Sequence, residues 1–403
     1  MTVRGEKLAQ SFLIIPAIGI VGGGLLGAIT AAIEPTHDRY PESAEQSLRV
    51  IATVGPAMLT FLGVVFSITL VALQMASGNL SPRIVRLFVR SHVTKATLAI
   101  FLATFVYTVE VQYLEHRPSW LAGLITMTLA TVSMVMFVVY INEVIGLMRL
   151  TRLLDRITHE TLAAMTTLKS SPPQSAAPPI TLAYDSIRYI GSPGVLRRID
   201  TRRLTALAAH ARTTVHLDVG LGDFLAAGTA VCRTGDGIDP RKVLRCLAIG
   251  PERSMRTDVA FGLRQLVDIA IRALSPAIND PTTAVQVLDR IEAILAAAAP
   301  RPLGEITHRD KSGAVRVVEP SPDWDALVEL AFAEILINGR NQPQVVRRMI
   351  AAVDDLIAVV APQRTAMLTA YQHSIAEVVP HQADLRRFYL QPDRQGIGWH
   401  HTR

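Results

Sequence analysis

The stretch from Asp258 to Ile291 reads DVAFGLRQLVDIAIRALSPAINDPTTAVQVLDRI and contains two amphipathic helical patterns separated by a polar loop. In the first pattern apolar residues recur at helical spacing, while Arg264, Asp268 and Arg272 form a stripe of alternating charge on another face. This helix should end near Ser275, because the proline after it disfavours the helical conformation of the preceding residue. The stretch therefore predicts a helical hairpin, and the rest of the chain is arranged around it.

The loop SPAINDP contains the polar groups of a candidate ligand or ion site. Asp280 is suited to cap the second helix and Pro281 to begin it, which directs the amide groups of Thr282 and Thr283 outward. Free amides at a helix N-terminus favour an anion, whereas side-chain oxygens favour a divalent cation such as Mg²⁺ or Ca²⁺. We predict a site formed by Arg264, Asp268, Arg272, Ser275, Asn279, Asp280 and Thr282. In the alternative, these residues only satisfy their own loop. No cofactor is identified from the sequence.

This stretch also carries a resemblance to a known family. The sequence SPAINDPTTA, the preceding RTDVAFGLRQLVDIAIRAL and the upstream SITLVALQMASGNLSPRIVRLF resemble an uncharacterised bacterial family of predicted inner-membrane proteins, DUF2254. The similarity runs over nearly the whole chain, from about Phe12 to the helices before Pro380. The resemblance implies a membrane-protein architecture. It supplies no catalytic or binding residues, so the candidate site rests on the chemistry of the residues themselves.

The composition divides the chain into a membrane part and a soluble part. The 403 residues are 50% hydrophobic and 18% charged, too apolar for an ordinary soluble protein and too charged for one buried in lipid throughout. The net charge of +6 comes from basic residues spread along the chain, many of them beside apolar segments. This pattern favours anionic lipids of the inner leaflet as partners and argues against nucleic acid. Cys232 and Cys246 have no neighbours at metal-ligand spacing and are predicted to be packing residues.

Four apolar runs in the first third have the length of membrane spans. Each is near the roughly 20 residues that cross a bilayer. They cover Leu8–Ile33, Val50–Ala76, Thr94–Leu114 and Trp120–Ile141. Arginine and lysine are concentrated before the first span, between the second and third, and after the fourth. Because such residues stay on the cytoplasmic side, we predict a multi-pass protein of the bacterial inner (plasma) membrane with both termini in the cytoplasm.

The first span contains a glycine stripe, formed by Gly19, Gly23 and Gly27 at four-residue spacing. Such a stripe lets another helix approach the backbone closely. We predict helix packing on this face and expect copies of the chain to associate through it.

The second span has a polar face that includes Thr60, Ser67 and Gln74. Lipid offers these side chains no hydrogen-bond partner, so the face lines either a pore or a helix interface. In the third span, Glu110 is a functional candidate because it is an intramembrane carboxylate, unless it reaches the membrane surface.

The remainder of the chain predicts a cytosolic α+β domain. A helical pattern from Asn142 to about Leu168 is a candidate lever or stalk, and the SSPPQSAAPP that follows is a stiff linker. Within the strand patterns that come next, GVLRRID followed by TVHLDVGLGDFLAAGTAV resembles small barrel-sandwich domains. The predicted fold is an α-helical membrane domain of four transmembrane helices, followed by an α+β cytosolic domain with a small β-barrel-like subdomain and a helical subdomain. The predicted parts are the membrane domain at 1–145, a connecting helix and linker at 146–180, the β-rich subdomain at 181–250, the helical subdomain at 251–380 and a loose tail at 381–403.

The sequence lacks the common enzymatic motifs, such as GxSxG, HExxH and the phosphate-binding GxxxxGK[ST]. The leading interpretation is a homo-oligomeric channel or transporter-like protein with a cytosolic sensing or gating domain, since four spans are few to enclose a path in one chain. One alternative is a membrane-tethered scaffold that binds a partner through its cytosolic domain. A second is a metal-dependent membrane enzyme that uses Asp268, Asn279 and Asp280.

Overall fold

The computed structural model describes residues 14–33, 41–79, 91–114, 120–148, 150–167, 185–253, 255, 258–379 and 383–394. The chain divides into two compact units, Met1–Arg152 and Leu153–Arg403. The SSPPQSAAPP linker and the start of the strand-rich segment lie outside the described residues.

The first unit contains four apolar helices. They are α1 (Ile14–Ile33), α2 (Pro41–Asn79), α3 (His92–Leu114) and α4 (Trp120–Met148). Each has a segment long and apolar enough to cross a membrane, as predicted for the four spans. The helix α2 begins before the predicted start of its span and has 39 residues. At 1.5 Å per residue it is about 58 Å long, whereas the hydrocarbon core of a bilayer is about 30 Å thick.

The third helix lies at the centre of this unit. It packs against α1, α2 and α4, and α2 also packs against α4. Phenylalanines fill the contact between α2, α3 and α4, with ring centroids of Phe61 and Phe137 5.5 Å apart. Polar groups inside the bundle pair with each other, since 3.0 Å separates the hydroxyls of Thr104 and Ser133. The interior therefore satisfies its own hydrogen bonds.

The second unit consists of two sheets and a group of helices. Its strands are β1 (Asp185–Arg188), β2 (Gly194–Ile199), β3 (Val215–Leu217), β4 (Phe224–Leu225), β5 (Ala230–Thr234), β6 (Leu247–Gly250), β7 (Ile306–Arg309) and β8 (Val315–Glu319). Its helices are α5 (Leu150–Thr167, which begins three residues before the unit), α6 (Thr201–His210), α7 (Pro240–Leu244), α8 (Val259–Ala273), α9 (Pro281–Ala298), α10 (Trp324–Gly339), α11 (Pro343–Val359), α12 (Thr365–Val378) and α13 (Ala383–Tyr389).

The strands form two open sheets, and the predicted small barrel is not present among the described residues. One sheet has the order β1-β5-β3-β8-β7 and the other β4-β2-β6. All neighbours are antiparallel except β3 and β8, which pair in parallel with Val215 opposite Val317. Within the predicted helical subdomain, β7 and β8 form a β-hairpin that extends the first sheet. The predicted β-rich and helical subdomains therefore share that sheet. A packed core still covers the strands, and it includes both cysteines. Burial raises the pKa of Cys232 to about 12, which fits its predicted packing role.

The segment predicted as a lever is divided between the units, since residues up to Arg152 belong to the first and those from Leu153 onward to the second. The helix α4 ends at Met148, and the separate helix α5 buries Leu154 and Ile157. Its Asp155 carboxylate lies 2.8 Å from Arg290 of α9. The amphipathic pattern of α5 therefore faces its own unit, because those apolar residues have a helical partner there.

Part of the predicted tail is packed against the helical group. Asp393 donates its amide to the carbonyl of Arg347 of α11 at 3.1 Å, and Arg394 pairs with Asp355 at 2.6 Å. Within the segment predicted as a loose tail, residues 391–394 are thus bound by side chains of α11. Residues 395–403 lie outside the described part of the chain.

Candidate functional site

The helix that leads to the loop is anchored at its start by a buried carboxylate. Asp258 caps α8 by accepting a hydrogen bond from the Phe261 amide at 2.9 Å, and it pairs with Arg253 at 2.8 Å. Burial raises the pKa of Asp258, and the attraction of Arg253 offsets part of that effect. The guanidinium also stacks over the Phe261 ring at 5.0 Å. Sequence reasoning missed this anchor, because nothing in the pattern marks Arg253 as its partner.

The predicted charge stripe of α8 has a partner on another helix. Arg264 forms a close ion pair with Glu334 of α10, and its Nε lies 4.0 Å from Asp268. Six residues of helix separate Asp268 from the helix end at Leu274, about 9 Å along the axis. Asp268 is thus not brought beside the loop oxygens. The stripe fastens α8 to α10.

The loop is a compact turn held by its own hydrogen bonds. The Ser275 hydroxyl donates to the carbonyl of Arg272 at 2.7 Å, and the Ser275 carbonyl accepts from the amide of Asn279 at 2.9 Å. Asn279 adopts a φ of +50°, in the left-handed region that asparagine tolerates better than most residues. Its side-chain oxygen accepts a hydrogen bond from Gln342 at 2.8 Å, so the loop is tied to the start of α11.

Asp280 occupies the N-terminus of α9 with its own carboxylate. One oxygen accepts from the Thr283 amide at 3.1 Å and the other from the Thr283 hydroxyl at 2.6 Å. The predicted cap is present, with Pro281 in the first turn. The expectation that the Thr283 amide points outward is wrong, because the cap uses that amide. Thr282 is exposed beside it.

The oxygens proposed for a cation are directed at different protein partners. Asp268 lies toward Arg264, Asn279 bonds to Gln342 and Asp280 bonds to Thr283. In the described residues, no group of three or more His, Cys, Asp and Glu side chains is arranged to hold a metal ion. The hydrogen bonds of Ser275, Asn279 and Asp280 are those of a turn that joins α8, α9 and α11.

Three arginines that the sequence reasoning did not select connect the surrounding helices. Arg301 donates to the Met165 carbonyl at 2.8 Å, and Arg364 donates to the Arg301 carbonyl at 2.7 Å. The buried Arg348 of α11 pairs with two carboxylates of α9. Asp289 lies 2.6 Å away, and Glu292 is the second partner. Their partners are more than 50 residues away in the chain, so no local pattern could identify them.

In the first unit, the glycine stripe of α1 packs on α3 of the same chain. A Cβ added at Gly19 would lie 2.3 Å from the Ala99 carbonyl oxygen, and one at Gly27 would lie 2.9 Å from the Glu110 methylenes. Gly23 meets the Ala103 carbonyl oxygen in the same way. The stripe is occupied within the chain, so it is not the face open to a second copy. Glu110 is half-buried, with its stem against Gly27.

The polar face of α2 points away from the helix bundle. Its members Thr60, Gly63, Ser67 and Gln74 are all exposed. They fall within an arc of about 60° on the helix. A Cβ added at Gly63 would meet nothing within 4 Å. The opposite side of α2 is buried against α3 and α4, as Met58, Val65 and Ala72 illustrate.

Comparison with known proteins gives the chain a family. The model of the family described as "Predicted membrane protein (DUF2254)" matches residues 9–355. The uncharacterized protein Rv1290c of Mycobacterium tuberculosis and the uncharacterized protein Mb1321c of Mycobacterium bovis are each 31% identical to the chain, over 94% of its length and 76% of theirs. No solved structure matches. The chain, with its four apolar helices and its α+β second unit, belongs to the DUF2254 family of predicted membrane proteins.

Proposed function

We propose that the protein is a homo-oligomeric channel-like or transporter-like membrane protein whose water-accessible path lies where the polar faces of α2 from several copies meet. The second unit then acts as its sensing or gating domain. The observation that carries this proposal is the outward direction of the face that contains Thr60, Gly63 and Ser67.

The argument begins with what a polar face needs inside a membrane. Hydrocarbon offers no hydrogen-bond partner, so a line of polar groups in a span faces protein or water. The polar groups inside the bundle already have partners, since the hydroxyl of Thr69 lies 2.6 Å from that of Tyr140. Among the described residues, the Thr60 hydroxyl donates only to the carbonyl of Pro56 in its own helix, at 3.2 Å. A second copy or a water-filled path supplies the missing environment.

The polar face of α2 continues from the middle of the helix toward its start. Glu45 and Arg49 form an exposed ion pair at 3.5 Å near the start of α2. They lie within about 60° of Thr60 on the helix. Charged side chains and hydrogen-bonding groups are what line water-filled paths through membrane proteins. Gly63 adds open space at mid-span.

Membrane location and orientation are part of the proposal. We propose a multi-pass protein of the bacterial inner membrane with both termini in the cytoplasm. The support is the concentration of arginine and lysine in the loop between the second and third spans and after the fourth.

Cysteine accessibility tests the path. Thr60, Ser67 and Gln74 are each replaced by cysteine, and a small charged thiol reagent is applied to intact membranes. Val138 and Met134 of α4 provide lipid-facing controls, because both are apolar and exposed on the surface of the bundle. We expect labelling at the three α2 positions and little at the controls. Protection of Thr60 and Ser67 to the level of the controls contradicts a path.

The scaffold is the second candidate, and the small residues of the α2 face favour it in one respect. Gly63 and Ser67 also suit a dry interface between two copies, in which backbones approach closely. In that case the α2 cysteines resist the polar reagent but form disulfide-linked dimers with an oxidant. The two outcomes separate a wet path from a packed scaffold.

A further inference from the structure

An exposed group of basic side chains lies beside the three-stranded sheet of the second unit. It is formed by Arg198, Arg202, Arg203, Arg241, Lys242 and Arg245, all of them exposed. We call this group the α6–α7 basic cluster. Arg198 lies near the end of β2, the next two lie in the first turn of α6, and the others lie in α7 or directly after it.

Backbone contacts bring the two halves of the cluster together. The Asp200 amide, just before α6, donates to the Cys246 carbonyl, just after α7, at 2.8 Å. Arg198 of β2 pairs in register with Ala248 of β6. The helices α6 and α7 also contact each other. Residues far apart in the chain therefore present their charges on one surface.

Several arginines elsewhere in this unit have carboxylate partners, whereas the cluster shows none among the described residues. Elsewhere Arg253 pairs with Asp258 and Arg290 with Asp155, each at 2.8 Å. Among the described residues, none of the six side chains of the cluster forms an ion pair.

The chain segments that contain the cluster, 198–203 and 239–245, include two carboxylates, and both serve as helix caps. Asp200 accepts from the Arg203 amide at 3.0 Å, and Asp239 accepts from the Arg241 amide at 2.9 Å. Six cations thus stand against two carboxylates. Concentrated like charge destabilises a surface unless an anion neutralises it.

We propose that the α6–α7 basic cluster is a docking surface for anionic phospholipid headgroups. Every copy of the chain is held at a bilayer by its apolar helices, so headgroups are always at hand. Arginine binds phosphate through two parallel hydrogen bonds, and a basic surface is attracted to an anionic leaflet. The segments 198–203 and 241–245 contain no aromatic residue on which a nucleic-acid base could stack. The second unit then responds to the lipid composition of the membrane. This property is additional to the proposed water-accessible path.

Energy transfer in lipid nanodiscs tests this docking. The full chain carries a donor dye on Ala206→Cys, an exposed position of α6, while the native Cys232 and Cys246 are buried and serve as the unlabelled background. The acceptor is attached to a lipid headgroup. We expect greater transfer in discs that contain phosphatidylglycerol than in discs of phosphatidylcholine alone. High salt should remove the difference, because it screens surface charge.

Charge reversal supplies the decisive comparison. The double variant Arg202→Glu, Arg203→Glu should lower transfer in anionic discs to the level found in zwitterionic discs. The control, Arg340→Glu with Arg387→Glu, makes the same charge change on exposed positions of the helical group and should keep the parent's transfer. Thermal unfolding verifies that both variants fold.

Three results overturn the proposal. The first is equal transfer in the two kinds of disc for the parent, and the second is an equal decrease for the control variant. The third is unchanged transfer in the Arg202→Glu, Arg203→Glu variant. If that variant also loses binding of a labelled single-stranded RNA, the cluster is a nucleic-acid surface.

Discussion

Gly262 of α8 lies directly against Thr161 of α5, so closely that a Cβ at position 262 would be 1.9 Å from the Thr161 hydroxyl. Two helices separated by about a hundred residues of chain meet here without room for a methyl group. This contact fixes how the first helix of the second unit packs on the hairpin that contains the SPAINDP loop.

Gly262→Ala should therefore destabilise the second unit by about 1–3 kcal/mol, because overpacking forces the helices apart. Denaturant unfolding of the purified protein, followed by circular dichroism, measures the change. Adding Thr161→Ala removes two of the three nearest atoms and should restore part of the loss. If Gly262→Ala is as stable as the parent, α5 does not pack on α8 as described.

Asp280 offers a second test, because capping and ion binding respond differently to the same changes. Asp280→Ala removes the acceptor for the Thr283 amide and should cost about 1–2 kcal/mol. Asp280→Asn keeps that acceptor and should cost less. The exposed neighbour Thr282→Ala is the control, with little expected effect. Thermal unfolding with and without Mg²⁺ or Ca²⁺ completes the test. If an ion raises the unfolding temperature of the parent but not that of Asp280→Asn, the loop binds that ion through Asp280.

The buried Asp258 predicts a pH effect on stability. Its pKa is raised by burial, so the native state holds the proton more tightly than the unfolded chain. The contribution of this group is full below its unfolded pKa and is lost as pH rises through the folded value. Relative to Asp258→Asn, the parent should lose stability as pH rises above about 3.9, the usual pKa of an aspartate carboxyl. The burial of Asp258 is contradicted if the unfolding free energies of the parent and Asp258→Asn change in parallel with pH. It is also contradicted if the parent gains stability over the variant as pH rises.

Gly23 and Gly63 separate packing within a chain from association between chains. Gly23→Leu places a side chain against the Ala103 backbone, so it should weaken the bundle itself. Gly63→Leu meets open space in the single chain, so the chain should stay folded while its copies separate. Thermal unfolding and native mass spectrometry in detergent measure the two properties. An unchanged oligomer for Gly63→Leu argues against the α2 face as the subunit contact.

Reporter fusions test the orientation. A reporter fused after Arg403 should give a cytoplasmic signal, and one inserted in the loop between the first and second spans should give an extracytoplasmic signal. The reverse pattern would refute the proposed topology while leaving the four helices intact.

Local rules in the sequence predicted the elements whose stability is local. The four spans, the end of α8 near Ser275 and the Asp280 cap each depend on neighbouring residues. The sheet and the tail depend on distant partners, such as β8 for β3 and Arg347 for Asp393. The amphipathic pattern of α5 identified a helix but could not identify what covers its apolar face.

The parallel pairing of β3 with β8 constrains the order of folding. Thr214 donates its hydroxyl to the Val315 carbonyl at 3.0 Å, across a separation of 101 residues. During synthesis the apolar helices leave the ribosome long before this partner exists, so β3 emerges as an unpaired edge. Closing so long a loop is slow, and an open edge invites pairing with other chains. A ribosome stalled before residue 315 therefore leaves a chain with an aggregation-prone edge, and the hairpin β7–β8 is what completes the first sheet.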